Sequence, residues 1–137
     1  MFGKLFNRNK YKTQSEVTVL LAKKFISYMK NFSEPWDNAY FRFHFSDNDY
    51  GCNGSFSSNG NASIFDVFEH ETLFDSLQEI ALQLHEAILN ADNSANFRVA
   101  LLTINSAYEY DIKYEYEDIN KWEITKTKSN GIPVGLQ

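Results

Sequence analysis

The chain is 137 residues long with 43% apolar and 16% aromatic side chains, which excludes a disordered polymer and fits one domain with a phenylalanine-rich core. Its formal net charge is −5, and because Lys4, Arg8, Lys10 and Lys12 put +4 into the first twelve residues, the remainder carries −9. That balance argues against direct nucleic-acid binding, which rests on lysines and arginines that neutralise phosphates, and favours a basic protein partner.

The chain-order reading begins with a basic flexible leader over residues 1–12, followed by a single α+β domain over 13–137. Thr13 and Glu16 in the stretch TQSE form a capping box, so a helix is predicted from Thr13. Val17, Leu20, Leu21, Phe25, Tyr28, Met29 and Phe32 follow at helical spacing, and Pro35 is read as closing the element. From Ala39 to Asp47 the period changes to two, with Phe41, Phe43 and Phe45 on one face and Tyr40, Arg42 and His44 on the other, the pattern of a strand. DNDYG is read as a turn, CNGSFSS as a second strand, Asn59-Gly60 as a hairpin and Ala62 to Phe68 as a third strand, together an antiparallel meander.

A second helix is predicted from Glu71 or Thr72 to Asn90, with Leu73, Phe74, Leu77, Ile80, Ala81, Leu84 and Ile88 on one face. FRVALLTI is apolar on both faces over residues 99–102, as expected of a central strand. Asn105-Ser106 then turns into AYEYDIKYEYEDINKW, where Tyr108, Tyr110, Ile112, Tyr114 and Tyr116 alternate with Glu109, Asp111, Lys113, Glu115 and Glu117. The tail beyond Trp122 is polar, with Gly131 and Pro133, and its end is expected to be mobile. The order helix, three strands, helix, two strands implies an antiparallel sheet with its helices packed on one face.

Catalytic patterns fail on spacing. Asp47 and Asp49 open a calcium-loop motif, but Gly51, Cys52 and Ser58 stand where its remaining ligands and glycine belong. His70-Glu71 and His85-Glu86 each begin a zinc-protease motif whose second histidine is replaced, by Phe74 and Leu89. His44 and Cys52 have no partner placed by sequence to activate them. The expectation is a protein that is not an enzyme, with no catalytic residue, no metal and no cofactor. Cys52 is the lone cysteine and no apolar run reaches the length of a membrane span, so a cytoplasmic protein without membrane contact is expected.

What remains is a binding surface. Glu109, Asp111, Glu115, Glu117 and Asp118 make a local negative field beyond what a solvated strand needs, and Asp47 and Asp49 can extend it from a turn. Tyr50, Trp36 and Trp122 are candidate aromatic anchors for a partner.

PWDNAYFRFHFSDNDYG, Pro35 to Gly51, and FRVALLTINSAYEYDIKYEYEDINKWEI, Phe97 to Ile124, resemble the YezG-like immunity proteins, an antitoxin family of bacterial polymorphic toxin systems. The likeness lies in a tryptophan before the first aromatic strand and in a Tyr-Glu-Tyr-Glu-Asp end of the last strand followed by another tryptophan; the leader before Thr13 departs from it. The resemblance implies an immunity protein that binds the C-terminal nuclease domain of a cognate secreted toxin and neutralises it in the producing cell. Acidic residues would then meet the cationic surface a nuclease offers its substrate. The alternative is a cytoplasmic chaperone for a secreted effector, which would use an exposed strand edge or an apolar helix face.

Overall fold

The computed structural model describes residues 13–47, 49–91, 96–126 and 130–136, and the basic leader lies outside the described residues. Helix α1 (Gln14–Lys30) starts at the predicted capping box: the Thr13 hydroxyl accepts the Glu16 amide at 3.2 Å, and the Glu16 carboxylate accepts the Thr13 amide at 2.9 Å. The helix stops at Asn31, whose amide donates to the Tyr28 carbonyl, so Pro35 stands in the following connection rather than at the helix end.

Strands β1 (Asn38–Ser46), β2 (Asp49–Ser58) and β3 (Asn61–Ile64) precede helix α2 (Glu71–Ala91), and β4 (Val99–Asn105) and β5 (Tyr110–Glu115) follow it. They form one antiparallel five-stranded sheet in the order β3-β2-β1-β4-β5. β4 is an interior strand as expected, but β1 holds the middle position.

Both helices lie on one face. There Phe41, Phe43, Phe56, Leu102 and Ile104 of the sheet meet Phe25 of α1 and Leu77 and Leu84 of α2 in one continuous core. Each such side chain contributes about 1.5–3 kcal/mol by burial. Gly54 permits the close seating of α2, since a Cβ at that position would stand 2.6 Å from the Tyr40 carbonyl oxygen and 3.0 Å from the Phe74 ring.

The other face, where β1 carries Tyr40, Arg42 and His44, is also covered. Tyr40, Leu101 and Ile124 form a second cluster, with Ile64, Trp122 and Leu136 packed against it. Arg42, in the middle strand, is only 8% exposed. Its Nε donates to the Lys121 carbonyl at 2.8 Å and its Nη2 to the Ile119 carbonyl at 2.6 Å. Asn53 on β2 donates to the Ile124 carbonyl at 3.1 Å, so the segment after Asp118 is laid across β1 and β2 through its own backbone. The segment also bonds to itself, Val134 to Glu123 and Gly131 to Thr125, and Gly131 lies against Ile64 and Ala62.

Three strand limits differ from expectation for local reasons. Ser46 pairs directly with Asp49, so the β1–β2 turn is tight, with Asp47 at φ +44, and Asp49 and Tyr50 belong to β2 rather than to a loop. β3 ends at Ile64 because Asp66 takes over: its carboxylate accepts the Phe68 amide and its carbonyl the His70 amide, forming a turn before α2. β5 is shorter than the tyrosine alternation. Tyr108 sits at φ +65 in the preceding turn, and the Glu115 carboxylate closes the strand by accepting the Glu117 and Asp118 amides.

Candidate protein-binding surface

Strand register sorts the acidic residues into two groups at opposite ends of the sheet. His44 pairs with Gly51 on one side and Val99 on the other, and Val99 pairs with Glu115. The Asp47–Asp49 turn and the Glu115–Asp118 turn therefore share one end, separated by roughly 10–15 Å at ordinary strand spacing. At the other end Asn38 pairs with Asn105, which brings Trp36 near the turn that carries Glu109.

At the first end the Glu115 carboxylate is tied at 3.0 Å to the amides of Glu117 and Asp118. These bonds, that from Asp118 first, hold its carboxyl below the usual carboxylate range. Asp118 in turn accepts the Asn120 amide at 2.9 Å. Tyr50 is 44% exposed and stacks on Phe45, with ring centroids 6.2 Å apart and planes 8° from parallel. Asp49, next to Tyr50 in β2, and Glu117, in the turn after β5, are exposed carboxylates at this end of the sheet. Exposed Arg98, Lys113 and Lys121 lie among the acids and moderate the field.

At the second end the Asn105 side chain accepts the Ala107 and Glu109 amides at 3.0 Å and donates to the Glu109 carboxylate at 2.8 Å. The left-handed backbone at Tyr108 is unusual for a bulky residue. Trp36 and Lys30 hold its ring: Trp36 lies 6.5 Å away between centroids, and the Lys30 ammonium is 4.9 Å above it. Trp36 donates from Nε1 to the Met29 carbonyl at 3.2 Å and so pins this turn to the end of α1. Trp122, at φ +57, packs with the second-face cluster under Lys121. Of the three proposed anchors only Tyr50 therefore stands with an acidic group at the first end, while Asp111 lies midway along β5.

A surface that periodicity missed lies along β2. Phe65 donates to the Gly54 carbonyl, so Gly54, Cys52 and Tyr50 turn their backbone groups away from β1, and β3 reaches only as far as Ser55. The remaining edge opens onto a groove of about 440 Å³ lined by Cys52, Val67, Phe68, Glu71, Asp75 and Gln78. Phe68 is 84% exposed. The signal lay in FDVFEHE, where aromatic residues continue beyond Ile64 among closely spaced acids, but the alternation assigned Phe68 to a strand.

The titratable side chains are placed for packing. Burial pushes the Cys52 thiol up to about 11, with Asp75 adding to the shift, which leaves it protonated and a weak nucleophile. Burial lowers His44, with Arg42 adding to the effect and Asp49 opposing it. Burial also lowers His85, whose ring stacks 3.9 Å from Phe45. His70 shares a hydrogen bond with the Tyr28 hydroxyl, and burial, then Glu69, raises that phenol. Among the described residues, no three histidine, cysteine, aspartate or glutamate side chains are grouped to hold a metal ion.

No protein-family model matches this chain, and no curated protein matches it. Among the described residues no helix is long and apolar enough to cross a membrane.

Proposed function

We propose that the protein is a cytoplasmic immunity protein that binds and neutralises a basic toxin domain, a nuclease by the resemblance, through the acidic end of its sheet. The observation that carries the reading is that Asp47, Asp49, Glu115, Glu117 and Asp118 share the end of the sheet at which the ring of Tyr50 is exposed. Exposed carboxylates steer a cationic surface toward encounter, and an aromatic side chain supplies area that can be desolvated on contact. Glu109, Asp111, Trp36 and Trp122 lie outside this patch, and in this reading they support the scaffold or its rim.

The test is affinity capture of the tagged protein from its native cells, with the stoichiometric companion identified and its domains bound in isolation. Binding through the companion's catalytic domain alone is the expected result; binding through an export segment alone would sink the immunity reading. Glu115 is a poor residue to reverse because its carboxylate holds the following turn, so the informative variants are Asp49→Lys and Glu117→Lys. Together they should slow association with a basic companion by about tenfold at low salt, with little change at high salt.

One observation favours the second reading, a chaperone for a secreted effector. The open β2 edge beside Phe68, with Glu71 and Asp75 along the groove, suits an extended basic segment added as a strand. Capture through an export segment, lost on Phe68→Asp and unaffected by Glu117→Lys, is the result that selects it.

A further inference from the structure

We infer that the outer edge of β5 is a self-recognition surface that joins two copies of this chain about a twofold axis at Ile112, extending the sheet from five strands to ten. This inference is independent of the proposed function. The Asn105 amide donates to the Glu109 carbonyl, which sets the odd-numbered residues of β5 toward β4 and turns the backbone N–H and C=O groups of Tyr110, Ile112 and Tyr114 out to the edge. No described strand lies beyond them.

An antiparallel partner must bond to these same three residues. If it is a second β5, Ile112 faces Ile112 on the axis and Tyr110 faces Tyr114 on either side, so every outward backbone group is paired. The residues between them are then fixed as well. Asp111 falls opposite Lys113 of the other copy, twice, on the face away from the helices. Neither side chain forms an ion pair with any described residue of its own chain.

Neighbouring registers lack this match. Centring on Asp111 sets two aspartates face to face on the axis, and centring on Lys113 sets two lysines there; both are unfavourable when directly opposite. In the Ile112-centred register the like-charge contact is Glu109 against Glu115, also made twice, at the two ends. Both carboxylates are already turned into local hydrogen bonds, Glu109 with the Asn105 side chain and Glu115 with the amides of residues 117 and 118. Of the three registers centred on Asp111, Ile112 and Lys113, only the Ile112-centred one sets the opposite charges of Asp111 and Lys113 face to face and pairs all three outward residues of β5. The edge also carries exposed Tyr110, which the pairing would bring against Tyr114 of the other copy.

The test is sedimentation equilibrium of the full chain over a concentration series, with circular dichroism to confirm that each variant is folded. The expected result is a reversible monomer–dimer equilibrium that weakens with salt. Asp111→Lys and Lys113→Asp should each weaken the dimer about tenfold by setting like charges opposite in both pairs, and the double exchange should restore it. A wild-type chain that stays monomeric throughout the series would overturn the inference, as would a dimer that both single variants leave unchanged. A dimer weakened by the single exchanges but not restored by the double would overturn the Ile112-centred register. Capture of a basic extended segment along β5 by a monomeric chain would assign the edge to a different occupant and count against self-recognition.

Discussion

The two faces of the sheet are closed by different means. On the helix side, periodic apolar residues from α1 and α2 interlock with Phe41, Phe43 and Leu102. On the opposite side, an irregular segment is fastened by a buried guanidinium to two of its carbonyls, around the small cluster of Tyr40, Leu101 and Ile124. The first closure is cooperative packing, and the second is a few directed bonds whose loss leaves polar groups unpaired. A face of a sheet can therefore be buried without any element that hydrophobic periodicity would reveal.

The largest expected effect tests the first closure. Phe43→Ala opens a cavity where the side chain is fully buried and should cost about 3–5 kcal/mol, read as a lower urea midpoint seen alike by every probe. Arg42→Met tests the second. It should cost about 1–3 kcal/mol by stripping partners from the Ile119 and Lys121 carbonyls. Its signature is local: hydrogen exchange at Gly131 and Val134 should accelerate before exchange in β1 and β4 does. If both variants lower protection uniformly, the two closures form one cooperative unit.

The smallest effect concerns pH. His44 and His85 both have lowered values because burial disfavours their charged forms, so the unfolded chain binds protons that the folded chain refuses. Their contribution is complete above the ordinary histidine value and is lost as pH falls through it toward the lowered folded values. Stability should therefore decline on acidification in that window. His85→Phe, which keeps a ring against Phe45, should flatten the decline in urea midpoints measured across the window. Glu115 acts in the same direction at lower pH, since its lowered value gives stability above the usual carboxylate range that is lost on protonation.

Much of the helix side was legible because Thr13 with Glu16, the alternation of Phe41, Phe43 and Phe45, and the stripe along α2 are local signals with one structural solution each. The cover on the second face was not, because Arg42 and Asn53 bind carbonyls, which every residue carries, in a segment with no period. Alternation also overran β5: Tyr108 and Tyr116 share the parity of its tyrosines, but the Asn105 and Glu115 side chains set where the strand begins and ends. The candidate site was legible as composition only. Strand order decides that Asp49 lies with Glu117 while Glu109, closer to Glu117 in sequence, lies at the opposite end.

The fastening of Arg42 to Ile119 and Lys121 spans 77 and 79 residues of chain, among the most distant contacts in the fold. During synthesis β1 can pair with β2 almost at once, but β4 arrives only after α2, and the strap over Arg42 arrives later still. In the interval a nascent chain carries an uncovered Tyr40, an unsolicited cation and an aromatic sheet on a surface the finished protein never shows. The order in which the ribosome delivers these segments thus leaves the second face as the last to be protected, and the stage most open to misassociation falls just before residues 119–124 emerge.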